Sequence, residues 1–153
     1  MKTRIFALSL LMFALAACAP AAGPAPDAEF EQAVSRARES LDEFKALLQS
    51  PNPTRTFAAL KVRFISPDGQ QDIWVDNVTY EDGEFYGLMG DDLPALRLEF
   101  GERVDMPVED ILDWMIVEDG HLIGGYTIRL AYSRMTPEEK EFFLKDAGYS
   151  IDE

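Results

Sequence analysis

The sequence predicts an α+β domain: a curved antiparallel sheet or small open barrel of five to seven strands, with an N-terminal amphipathic helix and a short C-terminal helix. Near the N-terminus, apolar residues recur every three to four positions, as on one face of a helix. From residue 57 they alternate with polar residues, as in half-buried strands. Near the C-terminus a helix-start pattern follows the strands. Helices set apart from a run of strands are typical of the α+β class.

The first 17 residues are typical of a bacterial export signal. Lys2 and Arg4 give a positive start, and residues 5–17 form a mostly apolar run that fits the hydrophobic region of a signal peptide. A membrane-spanning helix needs about 20 residues, so this run is too short to be one. We therefore expect residues 1–17 to be removed on export.

The signal ends in residues 15–18, Leu-Ala-Ala-Cys, which resemble the bacterial lipobox. In that motif the cysteine thiolate attacks an activated lipid, and the cysteine becomes the first residue of the mature protein. Cys18 is the single cysteine of the chain, which argues against an incidental thiol after a plain signal peptide. Several acyl chains hold a protein on a membrane effectively permanently. The resemblance implies a lipid anchor at Cys18, and Ala19 after it implies the outer membrane, facing the periplasm.

The mature chain is predicted to be one acidic domain. Without residues 1–17 it has 136 residues, with 12 basic against 28 acidic ones and a net charge of −16. This length suits a single domain, and the charge would repel nucleic-acid phosphates, so nucleic acid is excluded as a partner. One cysteine allows no disulfide within the chain, so packing alone must stabilise the fold.

Residues 18–26 comprise the lipidated cysteine and a Pro/Ala-rich tether, which would reach about 25 Å at about 3 Å per residue. Asp27 is the predicted N-cap of a helix over residues 27–50, which Pro51 and Pro53 end. Its apolar stripe consists of Phe30, Val34, Ala37, Leu41, Phe44 and Leu48. We expect the stripe to pack on the protein's own sheet, because short helices need tertiary packing. The alternative is a stalk through which two copies dimerise.

Strand patterns dominate residues 54–149, the predicted α+β domain. Turn signals at 67–69, 82–83 and 119–120 predict hairpins. We also expect a strand over residues 96–100, and a strand from His121 to Leu130 that pairs with residues 114–117. Thr136, Pro137 and Glu139 form a capping box with proline at the first helical position, which predicts a helix that ends near Gly148.

Residues typical of nucleophilic and metal sites are sparse. No serine lies in a G-x-S-x-G frame, and the single histidine, His121, is predicted to be an exposed strand residue rather than a base or zinc ligand. The glycines at 120 and 125 have the spacing of a P-loop, but Tyr126 stands where its lysine belongs. The sequence therefore predicts neither a metal nor a cofactor.

A carboxylate pair is the remaining catalytic hypothesis, because two acids in different environments can divide acid and base roles. Asp91 with Asp92, and Asp110 with Asp113, are the candidate pairs. Solvated loop acids are the commoner explanation of such residues.

The most unusual stretch is residues 110–130, where Gly124 and Gly125 lie together inside a predicted strand. Glycine there costs backbone entropy, and its usual reason is a bulge, a bend or the close approach of another group. The structure is then either a corner packed under Trp114, which we favour, or a shallow groove floored by glycine. The candidate binding residues are Asp113, Trp114, Gly124, Gly125 and Tyr126.

The same stretch resembles the shared core of the YegJ-like family, bacterial proteins described as a domain of unknown function. That core is similar to DWM-x-V-x-DG-x-L-x-GGYTIR, which falls here on Asp113 to Arg129. The sequences at 61–64 (KVRF), 74–75 (WV) and 101–107 (GERVDMP) also fit, although Ile116 stands where an aromatic residue is expected. The resemblance covers residues 57 to about 140 and implies a portable binding module, without implying a reaction.

Together these features predict an uncharacterised lipid-anchored envelope protein, a non-enzymatic binding or interaction module. The predicted partners are the membrane, through the lipid on Cys18, and an envelope protein or glycan. One alternative is a periplasmic enzyme that uses a carboxylate pair including Asp113. Another is a structural protein that dimerises through the helix over residues 27–50.

Overall fold

A six-stranded antiparallel sheet lies at the centre of the computed structural model, which describes residues 27–152. The predicted α+β class is confirmed, and the sheet is open, with strand order β4-β3-β2-β1-β5-β6. The export signal, Cys18 and the tether lie outside the described residues. The strands are β1 (Arg55–Ser66), β2 (Gly69–Glu81), β3 (Glu84–Met89), β4 (Arg103–Met106), β5 (Ile111–Glu118) and β6 (His121–Gly124). The helices are α1 (Ala28–Glu39), α2 (Leu41–Gln49), α3 (Tyr126–Ser133) and α4 (Pro137–Ala147).

The predicted hairpins are present. In the β2–β3 turn, Asp82 and Gly83 both have positive φ (52° and 91°), and Asp119 and Gly120 in the β5–β6 turn do the same (50° and 77°). Two consecutive positive φ values define the turn type that matches the twist of antiparallel strands. These turns set the register in which β3 pairs with β2 and β6 pairs with β5, and register decides which residues lie on each face of the sheet.

The first face of the sheet, which we define as the face under α1 and α2, holds the larger core. Val34, Ala37, Leu41 and Phe44 are buried, so the apolar stripe packs on the protein's own sheet, as expected. The predicted single helix is instead two helices that meet at Ser40, whose hydroxyl donates to the Arg36 carbonyl at 2.9 Å. Such a side chain competes with the helical backbone for partners, which explains the break.

The helices also contact the part of β5 that has no strand partner on one side. β6 pairs with β5 only from Met115 to Glu118, which leaves the first half of β5 without a partner on that side. There the Arg38 guanidinium of α1 donates to the carbonyl oxygens of Ile111 (2.7 Å) and Glu109 (2.9 Å). An arginine fork thus satisfies backbone acceptors that an unpaired strand would leave open.

Two predicted strands are wrong. The strand predicted over residues 96–100 is absent: Leu96 ends the short 3-10 turn Pro94–Leu96 and a loop follows, because Arg97 has left-handed φ (59°) and interrupts any extended run. The strand predicted from His121 to Leu130 ends at Gly124 and is followed by α3. Gly124 and Gly125 have φ values of 71° and 64°, a conformation that ends a strand and that glycine adopts without steric cost.

The second face of the sheet, opposite α1 and α2, is partly covered by the C-terminal elements. A smaller core there joins Ala59, Met115, Val117 and Leu122. The predicted capping box of α4 is confirmed, with Thr136 and Glu139 bonded to each other's backbone N–H groups, and Gly148 ends the helix.

The chain after α4 returns to the sheet. The Leu122 N–H donates to the Ser150 carbonyl (2.9 Å), and the Ser150 N–H donates to the Gly120 carbonyl (2.8 Å). These bonds attach the C-terminal segment along the outer edge of β6. Within residues 27–152, no helix is long and apolar enough to cross a membrane.

Candidate functional site

Trp114, the centre of the predicted binding stretch, is a core residue. It is 1% exposed, and its ring stacks on Phe44 with 5.1 Å between centroids. The indole Nε1 donates to the Ala37 carbonyl (3.1 Å) and the Ser40 hydroxyl (2.9 Å). A buried indole needs such a partner, so Trp114 joins the sheet to the break between α1 and α2.

The two glycines pack against this tryptophan and its surroundings. A Cβ at Gly124 would lie 2.6 Å from the Trp114 ring, and one at Gly125 would lie 2.7 Å from Leu122. Glycine is therefore required by the close approach of the protein's own side chains. The structure does bring the predicted site residues together, but at a packed corner. Tyr126 alone among them lines a cavity, a shallow one of about 240 Å³ between α1 and α3.

Asp113 anchors the first turn of α3. Its side chain is 0% exposed. One carboxylate oxygen accepts from the N–H groups of Trp114 (2.8 Å) and Tyr126 (3.1 Å), and the other accepts from the N–H and hydroxyl of Thr127 (both 2.7 Å). Burial raises the pKa of Asp113, and these hydrogen bonds act in the opposite direction. The positive end of the helix also favours a carboxylate there. With four donors bound, Asp113 acts as a helix cap, with no contact to solvent or a cleft.

The other carboxylate candidates stabilise turns. Asp91 accepts from the N–H of Asp92 (2.8 Å), and Asp92 accepts from the N–H of Phe100 (2.7 Å). Asp110 lies in the short 3-10 turn Val108–Asp110 that precedes β5. The two aspartate side chains thus bind backbone N–H groups of the loop after β3, and of the predicted pair only Asp92 lines the cavity of about 520 Å³ there.

His121 is exposed, as predicted, at the start of β6. Its Nδ1 lies 2.8 Å from the Ser150 hydroxyl and 3.4 Å from the Asp152 carboxylate. These contacts fasten the C-terminal segment. Over residues 27–152, no three histidine, cysteine or acidic side chains are grouped so as to hold a metal ion.

A cavity of about 540 Å³ lies on the second face of the sheet, under α4. We call it the second-face cavity. Its lining residues are Thr56, Phe57, Trp74, Met115, Val117, Ile128, Phe143, Ala147, Gly148 and Tyr149. None of them carries a charge, and the volume falls in the range of about 300–1,000 Å³ that small-molecule sites occupy.

The roof of the cavity is attached through aromatic rings. Phe143 of α4 packs against Tyr132 (centroids 5.9 Å apart) and edge-on against Tyr149 (6.3 Å). On the other side of α4, Phe142 is 72% exposed. Burial raises the pKa of the Tyr149 hydroxyl, so this group stays neutral and can donate at the cavity wall.

A lysine lies beside the cavity. Lys61 is directly opposite Trp74 in the β1–β2 register, and its Nζ is 6.0 Å from the centroid of that ring and 5.6 Å from the Phe30 ring. Cations are attracted to such ring faces. Among residues 27–152, Lys61 has no carboxylate within salt-bridge distance, whereas Arg63 on the same strand is bound to Asp72 at 3.0 Å.

Sequence reasoning missed this cavity because five separate segments of the chain line it. One signal was available: Trp74 lies on the opposite side of its strand from the buried Ile73 and Val75, and a large apolar residue on a second face needs a cover or a ligand. The pair Phe142 and Phe143 indicates in the same way that α4 presents aromatic rings on two sides.

Comparisons with known proteins point to one bacterial family. The model of the family described as "uncharacterized protein conserved in bacteria (DUF2314)" matches residues 27–151. An Escherichia coli K12 protein described as uncharacterized, YegJ, is 29% identical over 135 residues, or 84% of this chain and 86% of that protein. A Neisseria meningitidis protein provisionally named an ankyrin repeat protein is 37% identical over 101 residues, or 63% of this chain and 39% of that protein. The chain thus matches well under half of that relative's length. No solved structure matches the chain significantly.

Proposed function

This chain belongs to the DUF2314 family of uncharacterized bacterial proteins, as its resemblance to YegJ-like proteins predicted, and we propose that it is a non-enzymatic binding module held on the cell envelope by a lipid on Cys18. The binding site of this module is the second-face cavity. The observation that carries the proposal is the cavity itself, about 540 Å³ with an uncharged, largely apolar and aromatic lining. Sites of that size and lining suit small ligands.

The chemistry of the lining favours binding over catalysis. Acid–base catalysis needs a titratable group that is aimed at the ligand and has a pKa near the working pH. The only titratable side chain in the lining is Tyr149, and burial moves its pKa further upward. Asp113, the acid that the enzyme alternative relied on, is enclosed as a helix cap.

The relatives favour a domain that works as a module. The Neisseria meningitidis protein extends well beyond the matched region and has a name that refers to ankyrin repeats. Such repeats stack into extended binding surfaces. A domain that recurs as part of a longer chain in one relative and as most of the chain in another fits a portable recognition module.

The proposed anchor is supported by the lipobox-like sequence that ends at Cys18. Asp27 is the N-cap of α1, and its carboxylate is bound by Arg134 after α3 at 2.7 Å. The described chain therefore begins beside the α3–α4 connection. A tether of about 25 Å, as the sequence predicts, would be long enough to hold the domain clear of the membrane surface.

Metabolic labelling with an alkyne fatty acid tests the anchor. The wild-type chain is expected to take up label and to sediment with envelope membranes. Cys18→Ser is expected to lose both, while Ser9→Ala inside the signal keeps both. An unlabelled wild-type chain, or a Cys18→Ser chain that stays labelled, would contradict the anchor.

Thermal unfolding tests the cavity. An organic extract of envelopes is expected to raise the Tm of the Cys18→Ser chain. A ligand that binds only the folded state raises the Tm. The same chain with Ala147→Trp should therefore show no rise, because the new ring fills the site. The matched control is Glu141→Trp, at an exposed position on the same helix, which should respond like the parent chain. A Tm that is unchanged in the parent would contradict a ligand site there.

A further inference from the structure

We propose that the ligand of the second-face cavity is a free single-chain amphiphile, a hydrocarbon tail with an anionic head, of the class of a long-chain fatty acid. This inference rests on the proposed function, because it names the ligand of the same site. It is carried by two independent features of the described structure, the uncharged cavity and the lysine beside it.

The cavity accounts for the tail. Its walls offer the aromatic rings of Phe57, Trp74 and Phe143, and burial of methylene groups against such walls is favourable because it removes apolar surface from water. Met115 on the floor adds a flexible side chain that adapts to irregular ligands. A charged group inside the cavity would have no partner there, which confines any charge of the ligand to the rim.

Lys61 is the reason why we infer an anionic head for the ligand. Phe57, Ala59 and Lys61 follow one another at every second position of β1 and so lie on the same face of the sheet. Phe57 lines the cavity, and Trp74, also in the lining, is the cross-strand neighbour of Lys61. The row therefore leads from the cavity floor to Lys61, whose ammonium group lies 6.0 Å from the centroid of the Trp74 ring in the cavity wall.

Lys61 differs from the arginines of its own strand in its charge partners. The chain has 28 acidic against 14 basic residues, and the two arginines on the same strand are both bound, Arg55 to Glu118 at 2.8 Å and Arg63 to Asp72 at 3.0 Å. Within residues 27–152, Lys61 has no carboxylate partner, and its ammonium group lies over the rings of Trp74 and Phe30 instead. An anionic ligand head would supply the missing partner through a charge-assisted hydrogen bond.

Fluorescence titration with cis-parinaric acid, a fluorescent long-chain fatty acid, and with its methyl ester tests the proposal. The full chain carries Cys18→Ser, so that it has no lipid of its own. Ala147→Trp should weaken binding of the acid and the ester by about tenfold or more, because the new ring fills the cavity. The matched Glu141→Trp should change neither. If Ala147→Trp alters the circular dichroism spectrum, Ile128→Trp fills the cavity from α3 instead.

The head is tested separately. Lys61→Met should weaken binding of the acid by about tenfold, the size expected for one charge-assisted hydrogen bond, and should leave the ester unaffected. Lys45→Met on α2 removes the same charge on the other side of the sheet and should change neither. Equal losses for acid and ester in Lys61→Met would overturn the role of the lysine.

No binding of the acid to the parent chain, or equal binding by both cavity-filling variants and the parent, would overturn the whole inference. If the envelope extract still raises the Tm of the parent but not of Ala147→Trp, the proposed function stands and only the ligand class is wrong. If the extract also leaves the Tm of the parent unchanged, both the proposed function and the ligand class are wrong.

Discussion

The helices that cover the two faces of the sheet pack against it with different tightness. Under α1 and α2, Trp114, Phe44 and Phe85 are fully buried and packed ring against ring. Under α4, a cavity remains and its tryptophan, Trp74, is only half-buried. A solvent-accessible cavity contributes fewer packing contacts than a filled core does. The comparison teaches that the first face provides the stability of the domain, and that the second face leaves room for a ligand.

The two tryptophans give the largest expected difference. Trp114→Ala should lower the free energy of unfolding by about 3–5 kcal/mol, because it removes a fully packed ring. Trp74→Ala should lower it by about 1 kcal/mol, since the ring already borders empty space. Equilibrium unfolding in urea measures both. Equal losses would show that the second face is packed as firmly as the first.

Two glycines with the same backbone angle sharpen the comparison. Gly124 and Gly148 both have a φ of 71°, but a Cβ at Gly124 would meet the Trp114 ring at 2.6 Å, whereas one at Gly148 meets nothing within 4 Å. Gly148→Ala should cost about 1 kcal/mol of left-handed strain. Gly124→Ala should cost about 3 kcal/mol, since overpacking adds to that strain. Similar Tm values for the two variants would contradict the close contact at the corner.

Enlarging an alanine on each face should have opposite consequences. Ala37→Leu, at a fully buried position on the sheet-facing side of α1, should destabilise by about 2 kcal/mol because no space is available. Ala147→Leu adds the same atoms beside the second-face cavity and should be neutral or slightly stabilising. Differential scanning calorimetry compares the two. A loss of stability in Ala147→Leu would show that the cavity is unable to accept added atoms.

The smallest expected effect concerns the link between the α1 and α3 helices. The Arg134 guanidinium beside Asp27 lowers the pKa of that carboxyl from 3.8 to about 2, and Arg134 also contacts Glu29. Because the pKa of this carboxyl is lower in the folded state than in the unfolded state, its ionised form stabilises the fold above about pH 4. This stabilisation is lost as the pH falls from about 4 to 2.

Asp27→Asn keeps a good N-cap but removes this charge. Wild type should therefore have a slightly higher Tm than Asp27→Asn at pH 6, and the two should converge near pH 2. A difference that stays constant down to pH 2 would exclude the ion pair as its cause.

The parts of the fold that follow from local rules were predictable. Asp82-Gly83 and Asp119-Gly120 turn the chain because their short polar or absent side chains tolerate positive φ, and the capping box at Thr136 fixes the start of α4. The stripe on residues 27–50 identified a helix that packs on the sheet.

The parts that depend on distant contacts were not predictable. Residues 126–133 contain several aromatic and branched residues that favour strands, and they form α3 because Asp113, more than ten residues earlier, binds the first N–H groups of the helix. The Ser40 hydroxyl at the break between α1 and α2 likewise accepts from the indole of Trp114, a contact between distant parts of the chain. The candidate site could not be inferred because its walls come from five segments, with no motif to connect them.

The attachment of the C-terminal segment along β6 has a consequence for association between copies. An unpaired strand edge is a template for aggregation, since another chain can add its own backbone hydrogen bonds there. Ser150 occupies the edge of β6, and at the opposite edge β4 is only four residues long, with Arg103 and Asp105 exposed. Both edges of the sheet thus disfavour pairing with a strand of a second copy, β6 because the C-terminal segment covers it and β4 because it is short and charged.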